Sequence, residues 1–145
     1  MFTLLRCDRD GRAMGDLDGI SDELVTACAR SADLYRRIGY EPPWVSYVAV
    51  DSCRGVGGGA FVGPPRDGLV EIAYFTLQEF QRRGYATQTA SQLVAIARDA
   101  SPSIVLRAFT LPEISASTKV LERLGFAVVG FANDEDAGRV WEWRA

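Results

Sequence analysis

The chain has 145 residues, of which 48% are hydrophobic, and a formal net charge of −3 at neutral pH. This length and composition predict a single globular domain over residues 1–145. The net negative charge argues against a nucleic-acid-binding protein, and no apolar run is long enough to span a membrane. We therefore expect neither nucleic acid nor a membrane as a partner. Residues 1–6 are too short for a signal peptide, and a cytoplasmic location is therefore expected.

The residue types also restrict the chemistry that the chain can perform. The sequence contains no histidine, which excludes Ser-His-Asp and Cys-His catalysis and histidine-ligated metals. Its three cysteines, Cys7, Cys28 and Cys53, are odd in number and far apart. They predict reduced thiols rather than a disulfide framework or a zinc site, and no metal is expected.

The first half of the chain predicts one helix among three strands. The first strand covers Phe2–Arg6, and Ser21 is a suitable N-cap for a helix that ends at Gly39, with an interruption near residues 30–33. Strands at residues 44–50 and 56–62 then form a hairpin. Three consecutive glycines, residues 57–59, indicate a bulge or a close approach by other atoms.

The second half is organised around a strand that leads into a helix. Alternating residues predict a strand over Leu69–Thr76, followed by a polar bend and by an apolar-periodic helix over residues 84–100. A strand at 103–109, a short helix at 114–124 and a hairpin of 126–131 with Gly138–Arg144 complete the chain. A strand, a crossover helix and another strand predict a parallel pair. The fold class is therefore α/β, with a mixed sheet of six to seven strands flanked by helices.

The loop between the central strand and its helix has the features of an anion-binding site. It reads Gln81, Arg82, Arg83, Gly84, Tyr85, Ala86. Free backbone N–H groups and the positive end of the helix dipole are found at such a helix start, and a glycine allows a phosphate to come close. Neither the three-glycine dinucleotide pattern nor the Walker pattern is present.

This loop, of the form Gln/Arg-x-x-Gly-x-Gly/Ala, resembles the pyrophosphate loop of the GNAT superfamily of N-acetyltransferases. Downstream, residues 110–113, Ser117 and residues 120–126 resemble the closing helix of the Rim-type branch, the ribosomal-protein N-terminal acetyltransferases and their relatives. The two matches cover roughly the C-terminal half of the chain. The resemblance implies the GNAT fold, in which the two central parallel strands splay apart, and acetyl coenzyme A (acetyl-CoA) as co-substrate.

The same resemblance assigns the coenzyme-binding residues. Backbone N–H groups of residues 82–86 would hold the pyrophosphate, the Thr87 hydroxyl would assist, and backbone groups of the central strand would bind the pantetheine arm. The set comprises Tyr74, Phe75, Thr76, Gln81, Arg82, Arg83, Gly84, Tyr85, Ala86 and Thr87.

Two catalytic residues follow from the resemblance. Glu71 on the central strand matches the glutamate that deprotonates the acceptor amine, and Ser117 matches a serine near the coenzyme sulfur that helps to protonate the thiolate. As alternatives, Glu71 is a solvent-facing strand residue and Ser117 a helix-surface serine. The tyrosine that other members use as the acid is replaced by Leu121, and Ile114 stands at the usual asparagine position. By sequence placement no cysteine falls in the active cleft, so a covalent route is not expected.

The sequence thus predicts an N-acetyltransferase that moves an acetyl group directly to a primary amine. A non-catalytic coenzyme A-binding sensor is the alternative. The acceptor stays open between protein N-termini, aminoglycosides, polyamines and amino acids, and the protein is expected to be a monomer or a homodimer. Tyr35, Tyr40 and Trp44 line the acceptor pocket or serve only in packing, and the acidic residues 134–136 either attract a cationic acceptor or are merely solvated.

Overall fold

The computed structural model describes all 145 residues, with seven strands and three α-helices in the order expected from the sequence. The elements are β1 (Phe2–Arg6), α1 (Asp22–Ile38), β2 (Ser46–Asp51), β3 (Arg54–Phe61), β4 (Leu69–Thr76), α2 (Tyr85–Ala100), β5 (Val105–Thr110), α3 (Ala116–Arg123), β6 (Ala127–Asp134) and β7 (Gly138–Arg144). A 3-10 turn, Gln78–Phe80, lies in the polar bend between β4 and α2.

All strands form one sheet in the order β1-β2-β3-β4-β5-β7-β6, and every neighbouring pair is antiparallel except β4–β5. The parallel pair is paired only from Leu69↔Val105 to Glu71↔Arg107, although β4 continues to Thr76 and β5 to Thr110. Beyond Glu71 the two strands therefore separate. The expected mixed sheet with a splayed central pair is confirmed.

The two faces of the sheet are covered by different helices. α2 and α3 cover one face, over a core of 14 buried residues that includes Val70 and Ile72 of β4 and also Tyr35 near the end of α1. On the other face α1 packs against β2 and β3, and a second core of eight buried residues lies there. Because side chains alternate along a strand, Glu71, Ala73 and Phe75 point to the α1 side of β4.

The helix boundaries differ from the expected ones in two places. α1 is continuous, and the interruption expected near residues 30–33 is wrong: Ala32 is buried, and the Ser31 hydroxyl lies 2.7 Å from that of Ser46 on β2. The N-cap Ser21 and the stop at Gly39 are confirmed. α3 begins at Ala116 rather than at residue 114, because Ser115 and Thr118 form a reciprocal capping box.

The glycines of β3 mark close approaches rather than an end of the strand. A Cβ atom on Gly57 would lie 2.3 Å from the Phe75 carbonyl oxygen, so β4 occupies the space that a side chain would need. A Cβ atom on Gly59 would lie 2.8 Å from Cγ2 of Thr89 on α2. These glycines bring β4 and α2 close to β3, and the close approach expected from the sequence is confirmed.

Candidate active site

A cleft of about 590 Å³ opens between the C-terminal end of β4, the N-terminus of α2 and one face of α3. Ser117 and all the expected coenzyme residues except Arg83 line it. The Arg83 guanidinium instead lies 5.7 Å from the centroid of the Phe80 ring, and the residue lines a separate small cavity. The fold thus brings together two segments that the sequence had only suggested separately.

The N-terminus of α2 faces this cleft without a capping side chain. Its N-cap, Gly84, has φ = 82° and supplies no side-chain hydrogen bond, so the first N–H groups of the helix have no side-chain acceptor. No protein atom lies within 4 Å of the position that a Cβ atom would take on Gly84. The left-handed backbone, rather than crowding by the protein, is what favours glycine here.

Two basic residues of the cleft were missed by the sequence reasoning. Lys119 and Arg123 lie one helical turn apart on α3 and line the cleft together with Arg82. With Ala116 and Val120, which also line the cleft, they recur at spacings of three and four residues, so they lie on one helix face, and this spacing was the available signal. The cleft therefore has three cations around the exposed start of α2.

Backbone groups of β4 face the splay at alternate residues. Val62 N–H donates to the Glu71 carbonyl and Leu77 N–H to the Val56 carbonyl, both at 2.9 Å, so the odd-numbered residues of β4 pair with β3. The backbone groups of Tyr74 and Thr76 consequently point towards β5, where the partner strand has diverged. Those of Phe75 point to β3, which corrects the expectation that the backbone of Phe75 faces the pantetheine.

Two polar side chains of β4 stand out at the cleft. The Thr76 hydroxyl oxygen is buried without a hydrogen-bond partner. The Tyr74 hydroxyl donates to the Ser117 carbonyl oxygen at 3.2 Å, and burial raises the pKa of Tyr74 to about 12. Tyr74 therefore keeps its proton at neutral pH beside Ser117, a feature that the sequence reasoning also missed.

The two departures from the Rim-type pattern have structural counterparts. Leu121 is fully buried in the core, so its position does not reach the cleft. Ile114 is 82% exposed and precedes α3, whose cap is supplied by Ser115. A polar residue at position 114 is therefore not needed to cap this helix.

Glu71 lies on the α1 side of β4, at the last paired position before the splay, with 27% of its side chain exposed. Burial raises the pKa of Glu71, the Arg107 charge on β5 opposes this rise, and the carboxylates of Asp134 and Glu142 add to it. Arg107 Nη2 is 3.9 Å from Glu71 Oε1, which is too far for a hydrogen bond. Glu71 is thus a carboxylate with a raised pKa and no tight partner.

A second cavity, of about 230 Å³, lies between α1 and the sheet. It shares Tyr74 and Phe75 with the first cleft and also includes Ala73, the neighbour of Glu71 on the same face of β4. The two cavities therefore meet at Tyr74 and Phe75, three and four residues beyond Glu71 on β4, and Glu71 itself lines neither of them. Their arrangement allows two molecules to reach the splay from opposite faces.

The lining of the α1-side cavity corrects one expectation and decides between two alternatives that the sequence left open. Cys7 and Cys28 line it as free thiols, although no cysteine was expected near the active region. A hydrogen bond with Cys7 lowers the pKa of Cys28 to about 7, and the same bond together with burial raises that of Cys7. Tyr35, Tyr40 and Trp44 do not line this cavity and pack against the larger core.

The acidic hairpin tip has a structural role. Asp134 Oδ1 accepts hydrogen bonds from the N–H groups of Asp136 and Ala137, at 2.9 and 2.8 Å. These bonds hold the turn between β6 and β7, as an Asx-type turn does.

Comparison with known proteins agrees with this geometry. The family model described as "Acetyltransferase (GNAT) domain" matches residues 16–127, which is more than half of the chain. The chain belongs to the GNAT acetyltransferase family. Acetyl-CoA is the co-substrate of GNAT acetyltransferases.

The individual proteins compared with this GNAT chain share between 14% and 34% sequence identity with it. The uncharacterized N-acetyltransferase YjdG of Bacillus subtilis (strain 168) is 34% identical over 86 residues, which are 57% of this chain and 49% of YjdG. The chain thus spans about half the length of this curated relative. RimL, the ribosomal L7/L12 alpha-N-protein acetyltransferase, in complex with coenzyme A, superposes with a TM-score of 0.70 at 17% identity, covering 99% of this chain and 93% of RimL.

A further structural neighbour is the microcin C7 self-immunity acetyltransferase MccE, solved in complex with acetyl-CoA and AMP. It superposes with a TM-score of 0.66 at 14% identity, over 85% of this chain and 69% of MccE. At these identities the structural matches establish the fold. In this GNAT chain no helix is long and apolar enough to cross a membrane, and no group of three or more His, Cys, Asp or Glu residues is placed to hold a metal ion.

Proposed function

We propose that the protein transfers the acetyl group of acetyl-CoA to a primary amine by direct attack in a ternary complex. The observation that carries this proposal is the meeting of two cavities at the splay of β4 and β5. One is lined by all the expected coenzyme residues but Arg83, and the other lies on the α1 face of β4, which is the face that carries Glu71.

The nucleotide end of the coenzyme would lie at the start of α2. Backbone N–H groups of residues 82–86 and the positive end of a 16-residue helix favour the pyrophosphate. Arg82, Lys119 and Arg123 add positive charge on two sides of the same cleft. Arg83 contributes at most indirectly, because it lies outside this cleft.

The pantetheine arm would enter between β4 and β5. Tyr74 and Thr76 direct backbone groups into the space that β5 leaves open, and these groups can bond the arm as an added strand would. The Thr76 hydroxyl, buried without a partner, is a further polar group that a pantetheine amide would satisfy. Backbone N–H groups at this point would also polarise the thioester carbonyl.

Glu71 is the proposed general base. Its raised pKa brings the carboxylate closer to the pH at which an ammonium group must lose its proton, and no tight ion pair blocks it. The proton of the amine passes to Glu71, directly or through water, while the amine nitrogen attacks the thioester carbon. Ser117 remains the proposed donor to the leaving thiolate, and Tyr74, hydrogen-bonded to the Ser117 carbonyl, is a second hydroxyl at that place.

One observation favours the alternative, a coenzyme A-binding sensor without turnover. Leu121, at the position of the family's acid tyrosine, is fully buried and cannot donate a proton. Water, Ser117 or Tyr74 would have to replace this acid, and a sensor needs none. Turnover therefore has to be measured directly.

The deciding experiment follows the release of free coenzyme A from acetyl-CoA with a broad panel of primary amines. We expect turnover in the native protein and a loss of about 10²–10⁴-fold in Glu71→Gln, with acetyl-CoA affinity measured by calorimetry nearly unchanged. Cys28→Ser, which keeps the size of a side chain that lines the α1-side cavity, tests a covalent route and should lose far less turnover than Glu71→Gln. Tight coenzyme binding without turnover on any amine would support the sensor, and full activity of Glu71→Gln would assign the base elsewhere.

A further inference from the structure

A third cavity, of about 330 Å³, lies at the N-terminal ends of β4 and β5, on the α1 side of the sheet. Its lining includes Leu69, two residues before Glu71 and on the same face of β4, and Arg107, the partner of Glu71 on β5. Residues of one strand face are roughly 7 Å apart, so this cavity adjoins the proposed base.

Three arginines from three separate parts of the chain line this cavity, which we call the arginine pocket. They are Arg66 from the β3–β4 turn, Arg107 from β5 and Arg144 from β7, and Asp67 is the one acidic residue of the lining. Like charges are brought together here by the register of the sheet, which pairs Arg107 with Arg144 across neighbouring strands. Such a cluster is the kind of surface that binds carboxylate or phosphate oxygens.

Two of these guanidinium groups form no hydrogen bond within the protein. Arg107 has its nearest carboxylate oxygen, that of Glu71, at 3.9 Å, and its Nε has no hydrogen-bond partner. Arg66 is exposed and takes part in none of the ion pairs of the structure. Only Arg144 has a close carboxylate, with its Nε 2.7 Å from Glu142 Oε2.

We propose that the arginine pocket binds an oxyanion carried by the acceptor, so that the acceptor is a primary amine bearing a carboxylate or a phosphate group. This inference rests on the proposed function. Arg107 touches both the pocket and Glu71, so a compact acceptor places its amine at Glu71 and its anionic group against Arg107 and Arg66. A simple polyamine has no group for this pocket.

The first part of the test measures anion binding without any turnover. Inorganic phosphate and acetate are titrated at low ionic strength into the native protein, Arg66→Gln and Arg98→Gln, and the NMR shifts of the pocket amides of Gly68, Leu69 and Val105 are followed, which separates this pocket from the coenzyme cleft. Arg98 is an exposed arginine of α2, which packs on the opposite face of the sheet from the pocket, and it serves as the matched control. We expect binding in the native protein and in Arg98→Gln, and affinity about tenfold weaker in Arg66→Gln. Binding of neither anion, or equal binding by all three proteins, overturns the inference.

The second part compares matched amines: alanine with alaninamide, and O-phosphoethanolamine with ethanolamine. The values of kcat/KM are referred to the unprotonated amine. We expect at least one anionic member to exceed its neutral counterpart by about tenfold or more, and this ratio to fall in Arg66→Gln but not in Arg98→Gln. The pair that shows the preference distinguishes a carboxylate from a phosphate.

The outcomes separate this inference from the proposed function. Turnover of anionic and neutral amines at equal rates overturns the inference and leaves the acetyltransferase assignment standing. Absence of turnover on every amine, with anion binding that depends on Arg66, overturns the acetyltransferase assignment and leaves the anion site standing.

Discussion

Replacing Gly57 by alanine tests how tightly β3 positions the coenzyme strand. The new Cβ atom would lie 2.3 Å from the Phe75 carbonyl oxygen and 3.0 Å from Cα of Thr76, both in the backbone of β4. An ordinary contact requires the strands to separate by about 1 Å. That movement would weaken neighbouring interstrand bonds such as the 2.9 Å bond from Leu77 N–H to the Val56 carbonyl.

The expected cost has two parts. Overpacking a close contact costs about 1–3 kcal/mol, and each weakened backbone hydrogen bond about 0.5–1.5 kcal/mol. Gly57→Ala should therefore lower the free energy of unfolding by about 2–4 kcal/mol. For a domain of this size the melting temperature should fall by roughly 6–12 °C. Turnover should fall by about 10²-fold even well below the melting temperature, because Thr76 moves within the cleft.

Gly58→Ala is the matched control for this prediction. Its Cβ atom would meet Cε1 of the Phe75 ring at 2.9 Å, and a ring can turn away where a backbone cannot. Its cost should stay at about 1 kcal/mol or less. The assays are thermal unfolding, urea titration and coenzyme A release. A Gly57→Ala protein as stable as the native one, or more stable than Gly58→Ala, would refute the reasoning.

Three further predictions concern the site. Arg82→Gln should weaken coenzyme A binding about tenfold in calorimetry while Arg83→Gln changes it little, because of these two neighbours Arg82 alone lines the cleft; equal effects would contradict this assignment. The raised pKa of Glu71 should place the acidic limb of the kcat/KM–pH profile above the usual carboxyl range. Because the positive charge of Arg107 lowers this pKa, Arg107→Gln should move the limb to still higher pH. Arg107→Lys should restore it in part, whereas an unmoved limb would show that Glu71 is not the titrating base. Ser117→Ala should reduce kcat by less than Glu71→Gln does, because water can protonate a thiolate; a larger loss would make Ser117 the dominant residue.

The sequence by itself determined the local elements of this protein. Alternation over Leu69–Thr76 and helical periodicity after Gly84 identified β4 and α2, and Ser21 and Gly39 identified the ends of α1. These signals are readable because strand alternation, helix periodicity and capping depend on residues close together in the chain. The six-residue loop could be assigned for the same reason, since its chemistry lies in consecutive backbone groups.

Long-range pairing decided the rest. The sequence expectation of a break in α1 failed because tertiary packing buries Ala32. Only the register of β4 and β5 puts Arg107 beside Glu71 and ends their pairing there, and only the packing of α3 turns Lys119 into the cleft. Arg66, in the turn between β3 and β4, lines the same cavity as Arg107 of β5 for the same reason. Register and helix docking are fixed by the burial of apolar faces across the whole domain, and no local pattern carries that information.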